Sequence, residues 1–217
     1  MSKETNGFSF CTKLDLTILL GLKARNIEGL LRAIREVPDA SIYYHTHHFL
    51  QQHNYLSPEP PNDFAYWVSD VLGDDALGEQ LSSVDIVQYE SISELRDKFV
   101  RILEDYLQTT DRRVDCPSGD EFHFMASRTF VFRTPYCAHT LTELRDILTR
   151  VSINSLYYHI FDAKLRLKQG ENDFSRWFRD RGMNELADEV KRLDPYRHTL
   201  EGLRRRIMVL TKRYDSH

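Results

Sequence analysis

Apolar residues alternate with polar ones at the start of the chain, at Phe8 and Phe10 and then at Leu14, Leu16 and Ile18. A period of two predicts a strand or a short hairpin there. The same spacing returns at Phe122, Phe124, Phe130 and Phe132. After each stretch the period lengthens to that of a helix. Ile27, Leu30, Leu31, Ile34 and Val37 share one helical face. In the second half the matching run opens with Thr140-Leu-Thr-Glu143, a capping box in which two side chains satisfy opposite orphan N–H groups. Ser41 and Ser155 stand as N-caps of a second helix, and Asn62-Asp63 and Asn172-Asp173 open a third that lays Phe and Trp on one face. Leu77 and Leu81, or Leu186 and Val190, mark a fourth. Ser91-Ile-Ser-Glu94 caps a last one with Ile92, Leu95, Phe99, Ile102 and Tyr106 along one stripe.

The two halves match in order as well as in pattern. Sliding the chain along itself until Phe8 lies on Phe122 also lays Phe10 on Phe124, Ala24 on Ala138 and Leu30 on Leu144. Ser41-Ile-Tyr-Tyr-His45 then falls on Ser155-Leu-Tyr-Tyr-His159. After an excess in the first half that holds Ser57-Pro-Glu-Pro-Pro, Asn62-Asp-Phe64 and Trp67 meet Asn172-Asp-Phe174 and Trp177. Asp70, Asp85 and Tyr106 meet Asp180, Asp194 and Tyr214. An ordered match of this kind predicts a tandem duplication. Its copies are 8–107 and 122–214, and the polar Gln108–Glu121, with Pro-Ser-Gly turn chemistry, is the linker. The fold class expected is α+β, predominantly α-helical, each copy holding a short hairpin or strand and about four helices. The β segments either stay separate or join edge to edge in one small sheet, and open strand edges favour joining.

Composition adds exclusions. With 217 residues, a net charge of −4 and pI near 6.1, the chain has no global attraction for nucleic acid or an anionic membrane. No apolar run approaches the ~20 residues that span a bilayer, and MSKETNG lacks the apolar stretch of a signal peptide. The three cysteines, Cys11, Cys116 and Cys137, form no CxxC pair and suit a reducing compartment. A cytoplasmic location is the expectation.

Candidate chemistry centres on Tyr43-Tyr44-His45-Thr46-His47-His48, with His53 near it. His45 and His48 share a helical face, and His159 and Asp162 fall on the same two positions of the second copy. Together the four suggest a divalent-metal site of a hydrolase or of oxygen chemistry. Against it, no glutamate repeats in register, since Glu28 meets Thr142 and Glu143 meets Gly29. The competing reading is structural. His45 and His159 border apolar faces set by Ile42 and Phe49, or Leu156 and Ala163, and a half-buried imidazole needs partners. Asp63 and Asp173 are the repeated candidates, giving two His–Asp pairs that orient the third helix on the second.

Other chemistry is sparse. The chain holds no GxSxG, GxGxxG or Walker sequence, and the repeated Asp70, Asp180, Asp85 and Asp194 fall where caps and turns are expected. Arg204-Arg-Arg206, Lys212 and Arg213 read as a solvated face of the final helix. Tyr43, Tyr44, Tyr157, Tyr158, Trp67 and Trp177 are candidates to line a groove between the copies.

The forms Ser-Ile-Tyr-Tyr-His and Ser-Leu-Tyr-Tyr-His, each followed by Asn-Asp-Phe and a Trp, resemble a family of bacterial and archaeal proteins classed as a domain of unknown function. The resemblance covers nearly the whole chain and implies a unit that often occurs in two copies. It transfers no catalytic residues, and related Asn-Asp-Phe modules attached to unrelated proteins imply an accessory or interaction role. The function expected is therefore a non-enzymatic accessory or binding protein, with a protein or small-molecule partner held between two pseudo-symmetric repeats. No cofactor, nucleic acid or membrane is expected, and oligomerisation stays open. The alternative is the metal-dependent enzyme at His45, His48, His159 and Asp162. A carbohydrate-pathway accessory role rests on exposed Tyr and Trp alone.

Overall fold

The computed structural model describes residues 7–52, 62–110, 114–167, 170–193 and 198–215, with backbone alone for 49–52. His53, the Ser57 segment and Asp194, named above, lie outside the described residues, as does the side chain of Phe49.

Each half opens with one continuous strand of 17 residues, β1 at Phe8–Ala24 and β2 at Phe122–Ala138. Neither folds back into a hairpin, because no Asn-Gly, Asp-Gly or similar turn pair interrupts either run. The two strands instead pair with each other in a two-stranded antiparallel sheet. Helices α1 (Ile27–Glu36), α2 (Asp39–Gln52), α3 (Asp63–Tyr66), α4 (Asp75–Ser82) and α5 (Ile92–Thr109) lie between the strands. After β2 come α6 (Leu141–Leu148), α7 (Ile153–Tyr157), α8 (Ala163–Leu167), α9 (Asp173–Asp180), α10 (Asn184–Lys191) and α11 (Leu200–Tyr214). A π-helical turn continues α3 over Trp67–Val71, and another joins α7 to α8 over Tyr158–Asp162.

The helices start where the sequence supplies caps. The side chains of Asn26, Asn62, Ser91, Thr140, Asn172 and Thr199 each accept a first-turn N–H. Glu143 answers Thr140 by reaching back to the N–H of His139, at 2.6 Å. The second helix of each half differs from expectation. Ser41 lies inside α2, and Ser152 rather than Ser155 caps α7. Pro38 explains the first case: its fixed φ suits a helix entry, and its carbonyl accepts from Ser41 N at 2.8 Å.

The chain divides into two compact units. The first takes in 15–52 and 62–128, the second 7–14 and 129–215. In the first unit Leu30, Ile34, Ile42, Phe64, Leu77, Leu81 and Phe99 are buried together with Phe122 and Phe124, from the start of β2. In the second unit Leu144, Leu148, Tyr157, Phe174, Phe178 and Ile207 are buried together with Phe8 and Phe10, from the start of β1. The aromatic pair opening each strand therefore serves a unit built mainly from the other half of the chain. Fully burying a side chain of this size contributes about 1.5–3 kcal/mol, so each unit draws on core residues far away in sequence. The last helix of each unit is tied to the end of its first by a matched arginine. Arg96 donates to Arg35 O at 3.1 Å, and Arg204, itself buried, donates to Leu148 O and to Val151 O.

Among the described residues no helix is long and apolar enough to cross a membrane.

Candidate functional site

The Asn-Asp-Phe motif has a physical meaning in each unit. The Asn side chain caps the third helix, and its amide reaches the end of the following one, Asn62 to Leu81 O at 3.0 Å and Asn172 to Val190 O at 3.4 Å. The Phe lies under a histidine and against the start of a strand. Phe64 is 5.4 Å from Phe122 between centroids, and Phe174 stacks on Phe8 at 4.8 Å. The Trp completes the cluster, Trp67 at 5.7 Å from Phe122 and Trp177 at 5.8 Å from Phe8.

The Asp holds the histidine. In the first unit His45 Nδ1 lies 2.8 Å from Asp63 Oδ2, and Met125 N–H donates to His45 Nε2 at 3.0 Å. In the second, His159 Nδ1 lies 2.7 Å from Asp173 Oδ2, and Cys11 N–H donates to His159 Nε2 at 2.8 Å. A backbone N–H is only ever a donor, so each Nε2 presents its lone pair and each Nδ1 carries the hydrogen given to the carboxylate. Both imidazoles are thereby fixed in one neutral tautomer with every hydrogen-bonding position used. Each binds a strand N–H that a second strand would otherwise seek, so the clamp also closes that part of the strand edge. In the second unit Ser155 Oγ adds a bond to Cys11 O at 2.6 Å.

Around the second clamp the surface opens into a depression of about 320 Å³, lined among others by Phe8, Cys11, Tyr158, Arg166, Arg176 and Trp177. Arg166 bonds Asp173 at 2.7 Å and lies 4.3 Å over the Tyr158 ring. Beside it Arg181 lies 4.0 Å over the Trp177 ring. Burial raises the Asp173 pKa, but the hydrogen bonds from His159 and Arg166 outweigh it and hold the carboxyl below its usual range. Burial also raises the Cys11 thiol, against the pull of Arg133 and Arg166, and it raises the Tyr158 phenol. Both groups therefore keep their protons at neutral pH, which suits hydrogen bonding and not nucleophilic attack.

A family of unknown function, DUF5752, matches residues 5–212. The chain belongs to this family. It is also similar to a solved structure, that of OrfY from Thermoproteus tenax. That match has 28% identity and a TM-score of 0.81, and it covers 100% of this chain and 99% of that one. No match is found among curated proteins.

In this DUF5752 chain the candidate residues named from sequence go to different places. His45 and His159 are buried with Asp63 and Asp173 as partners. His48 stacks on Tyr44 at 4.9 Å. Asp162 pairs with Lys13 Nζ at 3.0 Å, and that ammonium also lies 4.4 Å over the Tyr157 ring. Among the described residues no group of three or more His, Cys, Asp or Glu could hold a metal ion, and a metal at either clamp histidine would have to displace a bond already made. Tyr157, Trp67 and Trp177 are buried, and Trp177 lines the depression together with the more exposed Tyr158. Trp67 gives its ring N–H to Asp120 O at 2.8 Å. Asp85 accepts from Val87 N at 3.2 Å as a turn residue. The contacts of Lys13, Ser155 and Arg166 were not legible in the sequence: Lys13 breaks the strand alternation, Ser155 reads as a helix cap, and Arg166 sits in an ordinary helical position.

Proposed function

We propose that the chain is a non-enzymatic accessory or binding protein built by tandem duplication of one module, with the depression beside His159 as its ligand-contacting surface. The depression itself carries the reading. Aromatic rings and guanidinium groups meet there on helices whose positions are set by the clamp and by the Asn172 cap. Such rigid placement of a few polar groups on an apolar floor is what small-ligand sites have in common. Arg166 is bonded by Asp173 and Arg176 lies 3.9 Å from Asp180, so the N–H donors these two guanidiniums keep beyond those contacts are the ones that suit an incoming carboxylate. The ligand class is thus a small carboxylate-bearing molecule or the acidic side chain of a partner peptide. The first unit has Gln52 and Tyr66 at the matching sequence positions, so it lacks this chemistry. A cytoplasmic setting accords with the cysteine usage.

The test is thermal unfolding with a panel of small mono-, di- and tricarboxylates, because a ligand that prefers the native state raises Tm by mass action. The expected result is a concentration-dependent rise for at least one carboxylate, lost in Arg176→Ala and kept in Arg205→Ala. A flat response across the panel, or a rise that Arg176→Ala leaves intact, counts against the reading.

A further inference from the structure

The three cysteines differ in what surrounds their sulfur. Burial raises the thiols of Cys11 and Cys116 and keeps both protonated. Cys137, near the end of β2 in the second unit, is exposed, and its Sγ lies 3.7 Å from His139 Nε2. Ser9 Oγ, from the start of β1, donates to the same sulfur at 3.9 Å. The thiol hydrogen is then the one to give to the imidazole. The backbone carrying His139 is held on both sides. Its N–H donates to Glu143 at 2.6 Å, and its carbonyl accepts from Arg181 at 3.3 Å. The Arg181 guanidinium also stands close enough to Cys137 for the charges of the two groups to act on each other. Gly7 closes the cluster. A Cβ there would lie 2.4 Å from Cys137 Sγ and 2.7 Å from His139 Cε1, so any other residue would push the pair aside.

We propose that Cys137 is a thiol-exchange site, with His139 as its base, for a small anionic disulfide. A nucleophilic sulfur with a base in hydrogen-bond reach is the arrangement that such exchange needs. As Sγ attacks one sulfur of the disulfide, His139 Nε2 takes the thiol proton. The new S–S bond forms while that of the reagent breaks, and the second half leaves as a thiolate that recovers the proton from the imidazolium. Cys137 ends as a mixed disulfide and one half of the reagent as a free thiol, so the disulfide is itself the oxidant. The positive charge of Arg181 favours a reagent that carries carboxylates. The site uses neither Arg166 nor Arg176, so it stands whether or not the depression takes a carboxylate.

Peptide-mapping mass spectrometry of the full chain, treated under native conditions with glutathione disulfide or with the cationic disulfide cystamine, tests this. Wild type is expected to gain one adduct, on Cys137, that dithiothreitol removes, while Cys11 and Cys116 stay free. His139→Ala slows the reaction near neutral pH by at least about fivefold. It leaves the rate unchanged at about pH 9.5, where an ordinary thiol ionises without a base. Arg181→Ala slows glutathione disulfide several-fold and leaves cystamine unaffected. Far-UV circular dichroism of each variant confirms that it is folded. Modification of Cys11 or Cys116 as fast as that of Cys137 overturns the proposal. So does a His139→Ala rate equal to wild type near neutral pH, or one lowered equally at both pH values, which would make the imidazole a packing group only.

Discussion

The two histidine clamps share one design and differ in how it is supported. Each imidazole takes a strand N–H on Nε2 and gives its Nδ1 hydrogen to the Asp of an Asn-Asp-Phe motif. In the first unit the carboxylate side chain of Asp63 is 53% exposed, while that of Asp173 in the second is 18% exposed and also held by Arg166. In the second unit the clamp residue itself sits on the π-helical turn Tyr158–Asp162, whereas α2 runs on as an α-helix past His45. π-Turns recur at functional sites. The difference separates two jobs that the sequence motif merges: the clamp belongs to the fold of both units, and among the described residues the surface decorated by Arg166 lies beside the second.

Breaking the aromatic cluster carries the largest expected effect. Phe64→Ala and Phe174→Ala each remove a fully buried ring and should cost about 3–5 kcal/mol. Chemical denaturation would show the two losses to be similar, because this part is common to both units. Removing the carboxylate sharpens the contrast. Asp173→Asn leaves one amide oxygen to accept but removes the charge that holds both a buried histidine N–H and Arg166, and about 1.5–3 kcal/mol should be lost. Asp63→Asn should cost less than about 1 kcal/mol, because water reaches that side chain.

Acid unfolding gives the same contrast in another form. The folded-state pKa of Asp173 is depressed, so its contribution is fully present above the unfolded carboxylate value near ~3.9 and is lost as pH falls through the lower folded value. Asp173→Asn should therefore flatten the acid limb of the stability profile below about pH 4. An unchanged limb would place the acid-sensitive group elsewhere. The smallest expected effect comes from the matched serines. Ser155 Oγ bonds Cys11 O, while Ser41 Oγ is buried with no hydrogen-bond partner among the described residues. Ser155→Ala should cost about 1 kcal/mol and Ser41→Ala should be neutral or stabilising.

Much of this was legible in the residues. The helix starts at Asn62, Ser91, Thr140 and Asn172 follow from local cap chemistry, which depends on only a few neighbouring positions. The alternation at Phe8 and Phe122 marked strands. Periodicity could not say which helices those strands would serve, because pairing of β1 with β2 is a contact between residues about half the chain apart. The clamps were half visible. The repeat of His and Asp pointed to the pair, but the strand N–H groups of Cys11 and Met125 leave no trace in side-chain type. The depression was less visible still, since Arg166 and Arg176 match Gln52 and Tyr66 and so fall outside the repeated pattern.

The most direct test of the clamps is the imidazole nitrogen NMR spectrum of His45 and His159 in the native protein at neutral pH. Both rings should be neutral with the hydrogen on Nδ1, and each Nε2 should show a hydrogen-bond coupling to the backbone amide of Met125 or Cys11. A hydrogen on Nε2 in either ring, or averaging between tautomers, would contradict the clamp and free that histidine for other chemistry.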